Sequence, residues 1–256
     1  MRFALFSRVP DDPPHLKVQH EGATLKVALK RRPTATRITL RVSNASGEAV
    51  LTIPDRTPVD TAQRFADSHG GWIATRLAKL PARVRFEAGA VVPLRGVPHR
   101  IVHWSSIRGI TQATKGSDGA PILAVAGDPQ HVARRVQDFL EAEAKRDLSE
   151  SVKRHTGTLG IPAKRITVRD TKSRWGSCSS TGALNFSWRL ILAPPFVLDY
   201  LAAHEVAHLS EMNHSARFWK LTRKLCPRTE EAERWLKNHG TALHRFGSSG
   251  PVADAS

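Results

Sequence analysis

The sequence predicts an α+β protein, and three observations predict it. Short alternating or apolar runs of strand length recur through the first half, bounded by turn residues. Helical stripes ending at Gly or Pro stand after the third and the sixth of these runs. The C-terminal part places one strand and a hairpin-like pair ahead of three helices.

Taken in order, residues 1–20 are rich in Pro and charge and are expected to be flexible. Residues 23–29 and 38–42 alternate, and residues 49–53 are short and apolar. Arg32-Pro33 and Asn44-Ala45-Ser46-Gly47 separate them, which reads as an antiparallel meander. Thr57-Pro58 supplies an N-cap and a first helical position. A stripe of Phe65, Trp72, Ile73, Leu77 and Leu80 follows, up to Pro81. Gly70-Gly71 weaken its middle and favour a split. Further strands are expected at 91–94, 100–104 and 122–126. Asp128-Pro129 opens a helix through Val132, Val136, Phe139, Leu140, Leu148 and Val152, with mixed charge on its outer face. Residues 156–162 contain two glycines and a proline and are taken as the boundary between a β-rich part with two helices (21–160) and a second part (161–246). In that second part come a strand at 165–170 and paired strands at 174–178 and 183–189. Pro194-Pro195 opens a helix, a second helix spans 215–225, and a third spans 230–238 with its end by Gly240. The tail, 247–256, is expected to be disordered.

The 256 residues suffice for a sizeable core, and 40% of them are hydrophobic. No apolar run reaches 18 residues, so no transmembrane helix is expected, and the N-terminal apolar patch is too short for a signal peptide. Two cysteines, Cys178 and Cys226, make no disulfide framework, and the cytoplasm is the expected compartment. Net charge is +16, with +9 of it in residues 1–128. A field of that sign favours polyanionic partners, nucleic acid or nucleotides among them; a plain basic soluble protein is the alternative.

The densest chemistry is His204-Glu205-Val206-Ala207-His208, six residues ahead of His214. Residues four apart share one helix face, so His204 and His208 can offer two imidazoles to one ion. Glu205, one step round, can reach a water on that ion as general base. With 12 His and 11 Glu in the chain, chance supplies roughly 0.02 such patterns. The surrounding residues 196–209 are nearly all apolar, which describes a buried helix; a metal would satisfy its polar groups, as would backbone hydrogen bonds. Catalytic zinc usually has three protein ligands. His214 is the preferred third, since Asn213 can end the helix and turn the chain back. Glu230, Glu231 and Glu233 compete for that place.

Around this helix lie Arg174-Trp175-Gly176-Ser177-Cys178, then Leu184-Asn185-Phe186-Ser187-Trp188-Arg189-Leu190, then Tyr200 through His208, and Asn213-His214-Ser215 with Phe218-Trp219. These motifs resemble the YgjP-like metallopeptidase-domain family, related to the SprT-like and WLM proteases. The resemblance implies a zincin-like catalytic part, zinc held by His204, His208 and His214, and Glu205 as base. It also implies that the strand before the metal helix is an edge along which an extended substrate lies. Arg174, Asn185 and Trp188 are therefore candidate substrate-binding residues, with core packing as the alternative for the rings of Trp175 and Trp188. Arg174, Lys172 and Arg189 suit an oxyanion or a phosphate, or a solvated strand face. Gly176 marks a close backbone approach or a special turn. Cys178 reads as a small buried hydrophobe rather than a nucleophile, and Phe218 and Trp219 as helix core. Tyr200, four residues before His204, lies on the metal face.

The leading functional reading is a zinc metallopeptidase in which Glu205 activates a zinc-bound water against an amide bond. Two alternatives stand beside it. One is a metal-dependent nucleoside triphosphate pyrophosphohydrolase, which has no P-loop signature here to hold the phosphates. The other is a nucleic-acid-associated protein with a structural metal, for which four ligands, often cysteines, would be usual. Polypeptide or nucleotide substrate, nucleic acid at the basic surface, and no membrane are the partners expected.

Overall fold

The computed structural model describes residues 12–43, 46–80, 82–104, 109–171 and 173–247. Lys172, the first eleven residues and the tail from 248 onward lie outside the described residues. Two compact units divide the chain, Met1–Pro81 and Ala82–Ser256. Among the described residues no helix is long and apolar enough to cross a membrane.

The first unit holds a four-stranded sheet of β1 (His15–His20), β2 (Ala23–Arg31), β3 (Thr39–Val42) and β4 (Ala49–Ile53), in the order β1-β2-β4-β3. β1 corrects the expectation of a flexible lead through residue 20. Its residues alternate, and Leu16 and Val18 are buried while Lys17 and Gln19 are exposed. The antiparallel meander is also corrected. β2 and β4 run parallel, with β3 outside them. Arg31, the last residue of β2, ties the ends of the two parallel strands together. Its guanidinium donates to the Pro54 and Thr57 carbonyls just beyond β4, at 3.0 and 2.9 Å, and to the Asp12 carboxylate at 2.8 Å. Two helices, α1 (Val59–Ser68) and α2 (Gly70–Ala78), break at His69 as the glycine pair predicts. Gly70 is where α2 meets β1: an added Cβ would lie 3.2 Å from Val18 Cγ1. Leu16, Val18, Val27, Leu51, Ile53 and Ile73 form this unit's core.

The second unit opens with β5 (Val91–Leu94), β6 (Val97–Trp104), β7 (Gln112–Lys115) and β8 (Pro121–Ala126), ordered β5-β6-β8-β7 with its middle pair parallel. β7 is polar and fully exposed, so hydrophobic patterning does not reveal it. Asp128 accepts from the Gln130 N–H and starts a 3₁₀ turn, Pro129–His131. α3 (Val132–Leu159) follows and ends at Gly160, φ 76°. A third sheet, ordered β10-β11-β9, contains β9 (Arg165–Arg169), β10 (Gly176–Cys178) and β11 (Ala183–Ser187). A second 3₁₀ turn, Trp188–Leu192, leads to α4 (Pro195–Ala207), α5 (Ala216–Leu225) and α6 (Thr229–Leu243).

The boundary expected near residue 160 falls inside this second unit. α3 buries Val136, Leu140, Leu148 and Val152 in the same core as Val197, Leu201 and Val206 of α4, so the helix before the glycines is part of the same body as the helices after them. The end expected for the last helix at Gly240 is likewise moved to Leu243. Gly240 faces Trp175, with a would-be Cβ 3.3 Å from its ring, so packing and not termination accounts for this glycine.

Candidate metal centre

α4 is buried nearly all round from Val197 to Ala207, with Asp199 and His204 half-buried. Pro195 in its first turn suits the missing N–H there. Its one other acid, Asp199, is bonded to α3: Ser151 Oγ donates at 2.5 Å, His155 Nε2 lies 2.7 Å away, and Arg154 reaches the same oxygen. Burial pushes the Asp199 carboxyl up, but the hydrogen bonds of His155 and Ser151 and the charges of His155 and Arg154 outweigh it and hold it at about 2.

The helix closes as the motif ends. His208 is its C-cap, and the N–H groups of Leu209, Ser210 and Glu211 fold back onto Val206 and Ala207. The chain then reaches Ser215, whose hydroxyl accepts from Phe218 N–H and starts α5. That turn returns His214. Ligand atoms of His204, His208 and His214 all lie within 4.8 Å of one another, and Nε2 of His204 and of His214 are 3.2 Å apart. Two nitrogens each about 2.05 Å from one tetrahedral ion would be separated by about 3.3 Å.

Neighbours fix how the rings present their nitrogens. Tyr200 Oη donates to Glu233 Oε1 at 3.1 Å and so accepts from His204 Nδ1–H at 3.3 Å. His208 Nδ1–H donates to the Glu211 carbonyl at 2.9 Å. Both bonds leave Nε2 as the free acceptor, the usual second layer of a metal histidine. Burial, then the charges of His208 and His214, depress His204 to about 4; burial also depresses His208. Both rings are therefore neutral near pH 7, the form that ligates metals. Phe218 stacks on His208 with centroids 4.4 Å apart, and Trp219 lies along His214 at 5.8 Å. These two aromatics do more than fill a helix core: they wall the ligand cluster.

Glu205 is 4% exposed. Burial pushes its carboxyl up to about 8, and the charge of exposed Arg174 pulls the other way. Its side chain rests over Gly176 of β10, where an added Cβ would stand 2.7 Å from Glu205 Cγ and 2.8 Å from Cδ. Gly176 is thus a close-approach glycine. Cys178 is kept a thiol by burial first and the Glu205 charge second, which denies it the thiolate of a nucleophile.

Other sequence candidates are not brought to the cluster. β11 is the central strand of its sheet, and the edge beside α4 is β10, because β9 returns to pair parallel with β11. Asn185 pairs with Ser177, one position off the Gly176–Phe186 pair, so it lies on the sheet face opposite Glu205. Trp188 stands in the 3₁₀ turn beyond β11 with no exposed surface. Arg189 is neither solvated nor available to a phosphate: it is 4% exposed, pairs with Asp170 at 2.8 Å, and donates to the Leu243 and Phe246 carbonyls. Of the competing acids, Glu230 and Glu231 pair with Arg223 and Arg228, and Glu233 holds Tyr200.

A family model described as YgjP-like, metallopeptidase domain, matches residues 36–239, well over half of the chain. The chain belongs to the YgjP-like metallopeptidase-domain family. Membership implies a metal cofactor and a polypeptide substrate. No curated protein matches the chain. Among solved structures it is similar to the crystal structure of the metallopeptidase zymogen of Pyrococcus abyssi abylysin, at 21% identity and TM-score 0.33 over 36% of this chain and 93% of that one.

Proposed function

We propose that this metallopeptidase-domain protein is a zinc-dependent peptidase with Glu205 as its general base. The observation that carries the reading is the convergence of three imidazoles within 4.8 Å, beside a buried glutamate on the same helix. His204 and His208, neutral and with anchored Nδ1–H groups, converge with the His214 imidazole into a donor set that zinc favours, so these three are the residues that would hold it. Zinc supplies Lewis acidity, polarising the scissile carbonyl and acidifying water.

The chain's own residues do the rest. Glu205, ionised once the charge of a bound metal offsets the burial that otherwise holds its carboxyl at about 8, would take the proton of the attacking water and deliver it to the leaving amine. Gly176 leaves the room that keeps Glu205 in place. Arg174, exposed and close enough for its charge to act on Glu205, is the group we assign to the developing negative charge. β10, the edge of its sheet, offers backbone pairing to an extended peptide.

The nucleotide reading is weaker. Of the basic residues that would hold a triphosphate, Arg189 is committed to Asp170 and to two carbonyls. The test pairs two measurements on the full chain. Zinc should bind at about one per chain, with His214→Ala losing it. Glu205→Gln should keep the metal and lower hydrolysis of an unfolded polypeptide on the order of 100- to 10,000-fold. Hydrolysis of nucleoside triphosphates but not of polypeptide, lost in the same variant, would replace this reading with the other.

A further inference from the structure

We infer that the outward face of the first unit's sheet is a docking surface for the phosphate backbone of nucleic acid. Strand register decides which residues share that face. Lys17 of β1 stands directly opposite Lys26 of β2, Lys30 follows four residues along β2, and Arg41 of β3 pairs with Val50 of β4, two residues before Thr52, the partner of Lys30. Residues paired across strands, and those two or four apart along one, point the same way. All four cations are exposed. The opposite face carries the core, with Leu16, Val27 and Leu51 packed against the helices.

The strands of this face supply no acid of their own; Glu21 in the β1–β2 turn and Glu48 just ahead of β4 lie at its ends. No Asp or Glu occurs in β1, β2, β3 or β4. Among the described residues none of the four cations makes an ion pair. Like charges directly opposite are unfavourable in a sheet, so Lys17 facing Lys26 is a cost to the fold that an anionic ligand removes. The fold does not impose this pattern. The second unit's sheet has the same strand order and the same parallel middle pair. Its outward strand positions hold one cation, Arg100, among residues such as Val91, Val102 and Trp104, and the β8 residues on that side are buried.

Composition separates nucleic acid from an acidic protein. Protein interfaces carry aromatic and apolar anchors at a core depleted of charge, and the strand positions of this face hold no Phe, Tyr or Trp. Among the cations lie Gln19, Thr39 and Thr52, hydrogen-bond donors suited to phosphate and sugar oxygens, with the Thr24 hydroxyl donating to Gln19 Oε1 at 3.0 Å and leaving the Gln19 amide N–H groups to a ligand. Without aromatics there is no platform for stacked bases. The binding is therefore to backbone, independent of sequence, with a duplex as ligand.

The test uses full-length protein carrying Glu205→Gln, so that peptidase activity plays no part, and a labelled random-sequence DNA duplex titrated at several salt concentrations. A variant with Lys17→Gln, Lys26→Gln, Lys30→Gln and Arg41→Gln should lower the slope of log affinity against log salt by about 3 to 4, since each phosphate contact contributes about 0.9. Its affinity at low salt should fall at least tenfold, while its melting temperature holds or rises because like charges are removed. Lys145, Lys153, Lys224 and Lys237, all exposed in the second unit, changed together to Gln remove the same charge and should leave the slope nearly intact. Equal losses in both variants would mean a general field and overturn the proposal. So would absence of duplex binding by the parent protein at low salt. If the face variant loses polyglutamate but keeps the duplex, the partner is an acidic protein and nucleic acid is wrong.

Discussion

Two sheets in this chain share one strand order and put it to different ends. β1-β2-β4-β3 and β5-β6-β8-β7 both flank a parallel middle pair with antiparallel edges. Each buries one face on following helices, α1 and α2 in the first case and α3 in the second. In the first, the uncovered face is cationic and the core is small. In the second, α3 packs onto α4, and the same core reaches Tyr200 and Val206 beside the histidine cluster. Strand order is therefore silent about role. What differs is which residues occupy the free face, and what the covering helix touches next.

If the second unit's packing exists to hold the site, the largest effect should come where the third sheet touches Glu205. Gly176→Ala places a Cβ within 2.8 Å of the Glu205 carboxyl carbon. Gly176 is not among the glycines with positive φ, so the change acts on Glu205 and not through backbone strain. Misplacing a reacting group by about 1 Å costs on the order of 100-fold. We expect that loss in kcat for polypeptide hydrolysis with metal content unchanged. Full activity in Gly176→Ala would show that Glu205 does not need this seat.

The next effect tests the layer behind the histidines. Tyr200→Phe removes the acceptor of His204 Nδ1–H and leaves exposed Glu233 to water. Loss of such a partner typically costs 10- to 100-fold in metal affinity. Competition with a chelator would measure it. Unchanged affinity would make Tyr200 a core residue only. Glu233→Gln should cost less, because Gln keeps an acceptor for the hydroxyl.

Much of this site is legible in the sequence, for a physical reason. His204, Glu205 and His208 are neighbours on one helix, so their spacing is their geometry, and His214 needs only the turn after it. Most strands and the break at His69 follow from local pattern too. What was not legible depends on distant partners. β1 hides in a charged segment because its two buried residues look sparse until the sheet gives them a core. That β11 is central and β10 the edge is decided by the return of β9, which no local pattern contains. This one fact moves Asn185 to the far face, while the 3₁₀ turn that ends β11 sinks Trp188 into the core. Arg189 looked like a surface charge because Asp170 and the carbonyls near residue 245 converge on it only in the fold.

A smaller effect concerns how α4 is tied to α3. Asp199 is held at about 2, below its ordinary 3.8. A depressed carboxylate contributes stability that is fully present above its unfolded value and is lost as pH falls through the folded one. The window is therefore about pH 4 down to pH 2, with no contribution to pH dependence between 5 and 8. The size is about 2 kcal/mol at most, and somewhat less because the side chain is 29% exposed. Asp199→Asn should flatten that acid limb of the unfolding curve. An unchanged limb would mean that other carboxylates carry it.

The smallest effect separates the two sheets most cleanly. Lys17→Glu converts the like-charge pair with Lys26 into an opposite-charge pair. Cross-strand pairs of this kind are worth roughly 0.2–1 kcal/mol, so the variant should melt slightly higher and bind a DNA duplex more weakly. In the second sheet the corresponding edge pair is Val91 opposite Arg100, with Val91 47% exposed. Val91→Glu should give a similar small gain in stability and no comparable loss of duplex affinity. Opposite movement of stability and binding in the first sheet, without it in the second, is what a face selected for an anion requires. If Lys17→Glu lowers the melting temperature, the lysine pair serves the fold, and the contrast between the sheets loses its functional meaning.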